Sequence, residues 1–136
     1  MKSLFKTLLF IALVCLTPVG VMAQMEELKN STPKERADLQ TQWMKTNLSL
    51  DTKVGAKVAK LNLQYANELQ TVIDSSSPPI KKLMSFKQSS AAKDAELKPL
   101  LTPQQYATYE QKKSEMEAKL KEKLKEKHAQ AAAASS

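Results

Sequence analysis

The side chains able to do covalent or metal chemistry are few in this chain, and their spacing does not suit the work. His128 is the only histidine and Cys15 the only cysteine. A Ser–His–acid arrangement would have to use His128 at the lysine-rich end of a helix. Its serine would come from Ser135 or Ser136 in the tail, and a distant carboxylate would have to orient the ring. A zinc site needs several Cys, His or acidic ligands brought together, and one histidine among scattered carboxylates does not supply them. From Glu110 to Lys127 seven lysines alternate with five glutamates. That pattern reads as a solvated face, not as a buried acid and base with separated pKa values. The expectation is a protein that is not an enzyme, with no catalytic, cofactor-binding or metal-ligating residues and no cofactor.

The chemistry that is well spaced is that of helix ends. In Leu101-Thr102-Pro103-Gln104-Gln105-Tyr106, Thr102 is an N-cap residue and Pro103 suits the first helical position, where its missing N–H costs nothing. Gln105 stands where it can close a capping box with Thr102, and Leu101 and Tyr106 occupy the positions of a hydrophobic staple. Thr32-Pro33-Lys34-Glu35 repeats the pattern, with Glu35 closing the box. Leu50-Asp51 begins a third helix start, with Asp51 as the cap.

These starts divide the chain. Residues 1–23 read as a cleaved signal peptide: Lys2 and Lys6 precede the apolar run Leu8–Leu16, and Val21-Met22-Ala23 precedes a cut before Gln24. Cys15 leaves with it, so the mature chain has no thiol and must rely on helix packing or oligomerisation. Loss of Lys2 and Lys6 lowers the formal charge from +7 to +5. Outside the cytoplasm such a surplus meets acidic proteins or anionic lipid, so no nucleic-acid partner is expected, and no stable membrane insertion follows signal cleavage. Residues 24–31 read as a mobile leader, 32–128 as one helical domain, and 129–136 as a disordered tail.

Within the domain the first helix runs to about Asn47, with Leu39 and Trp43 sharing a face. The second runs to about Asp74 on a stripe of Val54, Val58, Leu61, Tyr65, Leu69 and Val72. Gly55 near its start suits a close crossing. Ser75-Ser76-Ser77-Pro78-Pro79 breaks the chain, and Ser77 is a candidate cap for a third helix ending near Lys98. A fourth helix reaches about His128 with Tyr106, Tyr109, Met116, Leu120 and Leu124 on one face, interrupted by Lys113. The fold class is all-α: four helices in two related halves, forming an elongated bent helical hairpin.

Leu101-Thr102-x-x-Gln105 matches the LTxxQ signature, and the chain resembles the Spy/CpxP-like periplasmic proteins. Such proteins carry two copies. Leu50-Asp51-Thr52-Lys53-Val54 is the degenerate first one, with Val54 in place of glutamine, and residues 36–44 resemble the first helix of a Spy-like branch. The resemblance implies a periplasmic, cradle-like homodimer that binds unfolded or partly folded envelope proteins without ATP during envelope stress. Related members damp a sensor kinase through its periplasmic domain, and metal-responsive relatives bind metals, so a kinase regulator and a metal sensor or scavenger are the alternatives. An ATP-independent chaperone needs small apolar spots among charges. Lys81, Lys82, Met84, Phe86 and Lys87 on the third helix are the candidate client-binding residues, and Met44 and Met116 are further adaptable contacts.

Overall fold

The computed structural model describes Glu26 and residues 28–136; the signal peptide, Cys15 and the first part of the leader lie outside the described residues. Four helices account for nearly all of it: α1 (Pro33–Asn47), α2 (Thr52–Asp74), α3 (Pro79–Leu97) and α4 (Pro103–Ala134), with a 3-10 turn at Lys98–Leu100 and no strand among the described residues.

Three of the four helix starts carry side-chain caps, and two are complete boxes. Thr32 accepts from the Glu35 N–H, while Glu35 Oε2 accepts from the Thr32 N–H at 2.9 Å. Thr102 and Gln105 do the same at 3.1 and 3.0 Å. Asp51 accepts from the Val54 N–H at 2.8 Å, and Val54 closes no box. At α3 the N-cap is Pro78, without a side-chain bond, and not Ser77. Pro79 forces the residue before it into extended backbone, which moves the boundary onto Pro78 (ψ 152°). The Pro78 carbonyl then accepts from the N–H groups of Lys81 and Lys82.

Neighbouring helices alternate in direction. Arg36, near the start of α1, bonds to Ala66 and Gln70 late in α2. Tyr65 in α2 bonds to Glu96 late in α3. Gln105 at the start of α4 reaches Leu48 at the end of α1, and Lys127 near the other end of α4 reaches Glu35 at 3.2 Å. The helices thus run up, down, up and down, and α4 lies antiparallel to α1. The two halves rest against each other within one chain. Met44, Leu48, Val58, Leu61, Tyr65, Leu97, Leu101, Tyr109 and Met116 form the core, flanked by Trp43, Leu50, Val54, Leu100 and Tyr106.

The middle of the α2 stripe packs as its spacing predicts, with Val58, Leu61 and Tyr65 buried, while Val54, Leu69 and Val72 are half-buried and Ile73 takes the buried position at the end. The α1 face is rotated from expectation. Arg36, Ala37, Thr41 and Met44 are buried, while Leu39 and Trp43 are half-buried on its flank. Small residues at 37 and 41 let α1 press closely on α2, and Leu39 and Trp43 turn toward Met116 and Leu120 of α4. Gly55 is buried beneath the Lys45 stem, where an added Cβ would lie 2.7 Å from Lys45 Cε. The close neighbour at that crossing is a flexible side chain.

The described end of the leader packs against α1, and the tail residues 129–134 are helical. Ser31 is buried, and the carbonyls of Leu28 and Ser31 accept from Arg36 at 2.8 and 2.6 Å. The last helix continues past His128 to Ala134, because residues 129–134 are alanine and glutamine, good helix formers.

Candidate functional site

The four helices line a cavity of about 300 Å³ that opens to solvent. Its apolar wall is Ala66 and Leu69 from α2, Phe86 from α3, and Leu120 and Leu124 from α4. Its polar groups are Arg36 and Gln40 from α1, Asn62 from α2, and Ser89, Ser90 and Lys93 from α3, with Glu117 and Lys121 of α4 at its edge.

Two of these groups are buried cations. Arg36 is only 2% exposed. Its Nη1 donates to the Leu28 and Ser31 carbonyls and to Ser31 Oγ, and its Nη2 to the Ala66 carbonyl and Gln70 Oε1. All of these acceptors are uncharged, and Nε has no partner. Burial lowers the Arg36 pKa, opposed by attraction to Asp74 and Glu35. Lys93 donates to Gln40 Oε1 at 2.7 Å. Burial pulls its pKa down to about 8, against attraction to neighbouring Asp94 and with help from Lys113. Buried charges are ordinarily paired with opposite charge. Here two share one cavity, and among the described residues neither makes a salt bridge.

Asn62, fully buried, donates to Thr41 Oγ1 at 2.9 Å, while its Oδ1 meets no donor. Thr41 in turn donates back to the Ala37 carbonyl. On the α3–α4 side, Tyr109 donates to Asp94 Oδ1 at 2.8 Å, and Lys113 donates to Asp94 Oδ2 at 2.6 Å and to Ser90 Oγ. This explains the lysine that interrupts the α4 stripe: its ammonium holds α4 to α3. Burial and the Asp94 carboxylate push the Tyr109 phenol far up, and the hydrogen bond to Glu96 raises Tyr65 to about 12. Both phenols are therefore protonated donors at neutral pH.

The five candidate client-binding residues separate. Met84 is 65% exposed, as is its neighbour Ile80 at 63%, and Lys81 and Lys87 are exposed beside them. Lys82 is not on that surface. It is buried, and its ammonium donates to the Ile73 carbonyl at 2.6 Å, neutralising the negative end of α2. Phe86 faces the cavity. Met44 and Met116 are core residues at 0% and 2% exposure, which leaves Met84 as the exposed member of that trio.

The motif residues cluster at one end. Leu101 is buried, Tyr106 is half-buried, and Gln105 extends its Nε2 to the Leu48 carbonyl at 3.1 Å. Gln105 so ties the second motif to the turn before Leu50 and Asp51.

Sequence reasoning missed Arg36, Asn62 and Lys93. The α3 spacing held one signal: Phe86, Ser90, Lys93 and Leu97 follow a helical stripe, placing Lys93 in line with Leu97. Arg36 beside Ala37, at the start of a helix whose buried face was expected elsewhere, gave none. Among the described residues no group of three or more His, Cys, Asp or Glu side chains is placed to hold a metal ion, and no helix is long and apolar enough to cross a membrane.

The fold and its caps define a small antiparallel four-helix protein with a cationic interior cavity. The chain belongs to the family described as Domain of unknown function (DUF4890), which matches residues 23–109. The match ends at Tyr109, so the lysine-rich length of α4 lies beyond it. No curated protein and no solved structure matches the chain.

Proposed function

We propose that this is an exported, periplasmic, ATP-independent chaperone of the Spy/CpxP-like kind, which holds unfolded or partly folded envelope proteins during stress. The observation that carries the reading is the outer face of α3, where Ile80 and Met84 stand exposed among Lys81 and Lys87. Two apolar side chains on a basic surface give weak adaptable contact, and the surrounding charge speeds encounter. The LTxxQ-like box at Leu101 to Gln105 supports the same reading.

The active form proposed is a cradle-like homodimer, with the lysine-rich length of α4 as its pairing arm. A hollow of about 190 Å³ lies along the α1–α4 seam between Trp43, Met116 and Leu120, so that seam is loosely filled. One experiment tests the reading. The mature protein should suppress aggregation of several unrelated clients at stoichiometric amounts. Ile80→Ser with Met84→Ser should reduce that suppression several-fold while unfolding stability stays within ~0.5 kcal/mol. Light scattering should give a dimer mass. No suppression by the unmodified chain, or full suppression by the double variant, overturns the proposal.

A further inference from the structure

We propose that the interior cavity is a binding site for a medium-chain carboxylate, with the acid group at Lys93 and Arg36 and the alkyl chain against Leu69, Phe86, Leu120 and Leu124. Three observations on different residues meet here.

The first is the pair of cations. Lys93 is 8% exposed and carries three donors, of which Gln40 takes one. Arg36 Nε is buried without an acceptor. An ammonium hydrogen-bonded to a single neutral amide and a guanidinium hydrogen-bonded to neutral oxygens leave positive charge without a contacting anion, because the carboxylates of Asp94 and Glu117 act on Lys93, and those of Asp74 and Glu35 on Arg36, only through space. A carboxylate supplies the missing charge and several acceptor positions at once.

The second is the wall. Leucine, phenylalanine and alanine side chains from three helices also line the cavity, which makes a small hydrated anion a poor fit. The ligand must be apolar over most of its length and charged at one end.

The third is size. A cavity of about 300 Å³ is at the small end of ligand pockets. At ~30 Å³ for a water-sized group it has room for roughly ten such groups, which suits a chain near decanoate in length and not a whole phospholipid.

The site is separate from the client surface proposed above, since Ile80 and Met84 lie on the outer face of α3. The experiment uses the delipidated mature chain in calorimetric titrations with decanoate, decanol and acetate. Decanoate should bind at one per chain and acetate not measurably. Lys93→Met keeps the stem and removes the charge; it should weaken decanoate by about tenfold or more and leave decanol unchanged. Ser89→Phe, which fills the cavity from α3, should abolish both, with circular dichroism showing both variants folded. Ile80→Ser with Met84→Ser should bind decanoate normally even if it no longer suppresses aggregation. The proposal is overturned if decanoate does not bind or binds at several per chain. It is also overturned if folded Lys93→Met and Ser89→Phe bind it as the unmodified chain does, or if only the outer-face variant loses it.

Discussion

Replacing Gln105 by glutamate separates two roles that one side chain plays. Gln105 Oε1 accepts from the Thr102 N–H at 3.0 Å, and Nε2 donates to the Leu48 carbonyl at 3.1 Å. Glutamate keeps the first and cannot make the second. Leu48 is 4% exposed and ends α1, so water does not readily replace the lost donor. The lost bond amounts to about 1 kcal/mol net, and a carboxylate facing a carbonyl adds repulsion. Against this, negative charge in the first turn of α4 contributes ~0.3–1 kcal/mol. The balance should leave Gln105→Glu roughly 0.5–1 kcal/mol less stable. Gln105→Ala loses both bonds and should cost about 2 kcal/mol, and Thr102→Ala about 1 kcal/mol. Glu35 provides a contrast: its box faces no distant carbonyl of this kind, but Glu35→Gln gives up the first-turn charge of α1 and the ion pair with Lys127, and should cost about 0.5–1.5 kcal/mol. Urea unfolding at neutral pH, followed by circular dichroism and by the fluorescence of Trp43 beside this turn, gives all four values. If Gln105→Glu is as stable as the unmodified chain while Thr102→Ala loses its cap energy, the bond to Leu48 contributes nothing, and the two motifs are not coupled as described.

Other perturbations test the interior and the turns. Met44→Ala, at a site with no exposure, should cost about 2–5 kcal/mol; a loss below ~1 kcal/mol in denaturant melts would show that Met44 is not core. Ser49 holds φ at 51° in the turn after α1, where the Leu50 N–H bonds back to the Lys45 carbonyl. Ser49→Gly should therefore stabilise by roughly 0.5–1 kcal/mol, and thermal melts should show a higher midpoint. Lys93 predicts a pH dependence of definite sign. Below pH 8 both folded and unfolded chains hold its proton, and burial penalises the folded one. Between about 8 and its ordinary value of 10.5 the unfolded chain holds more protons, so this group makes stability rise with pH by on the order of a few kcal/mol. Tyr65 and Tyr109, with raised pKa values, act in the opposite sense above about pH 10. Guanidinium melts at pH 7 and 9.5 should show the rise in the unmodified chain and not in Lys93→Met, which should also be the more stable protein at pH 7.

The order of the elements was legible because its signals are local. Thr32-Pro33, Asp51 and Thr102-Pro103 each mark a helix start through bonds made within four residues, and such bonds form wherever the chain is placed. The α2 stripe was legible for the same reason, being dense and strictly periodic. The fourth start was misplaced by one residue because two prolines in succession leave the cap to backbone geometry, with no side-chain bond to mark it.

The sequence by itself determined an all-helical chain, three of its four helix starts, and one well-formed apolar face. Which way α1 turns was decided only by tertiary structure. Leu39 and Trp43 are its largest apolar residues, yet Ala37 and Thr41 face α2, since two helices approach most closely over small side chains. The same holds for Lys82 and Lys93. A lysine in a helix reads as a surface residue until a neighbouring helix supplies a carbonyl from Ile73 or an amide from Gln40, and those acceptors are remote in sequence. The cationic cavity exists because four helices meet there, each contributing a few residues that carry no signal of it alone.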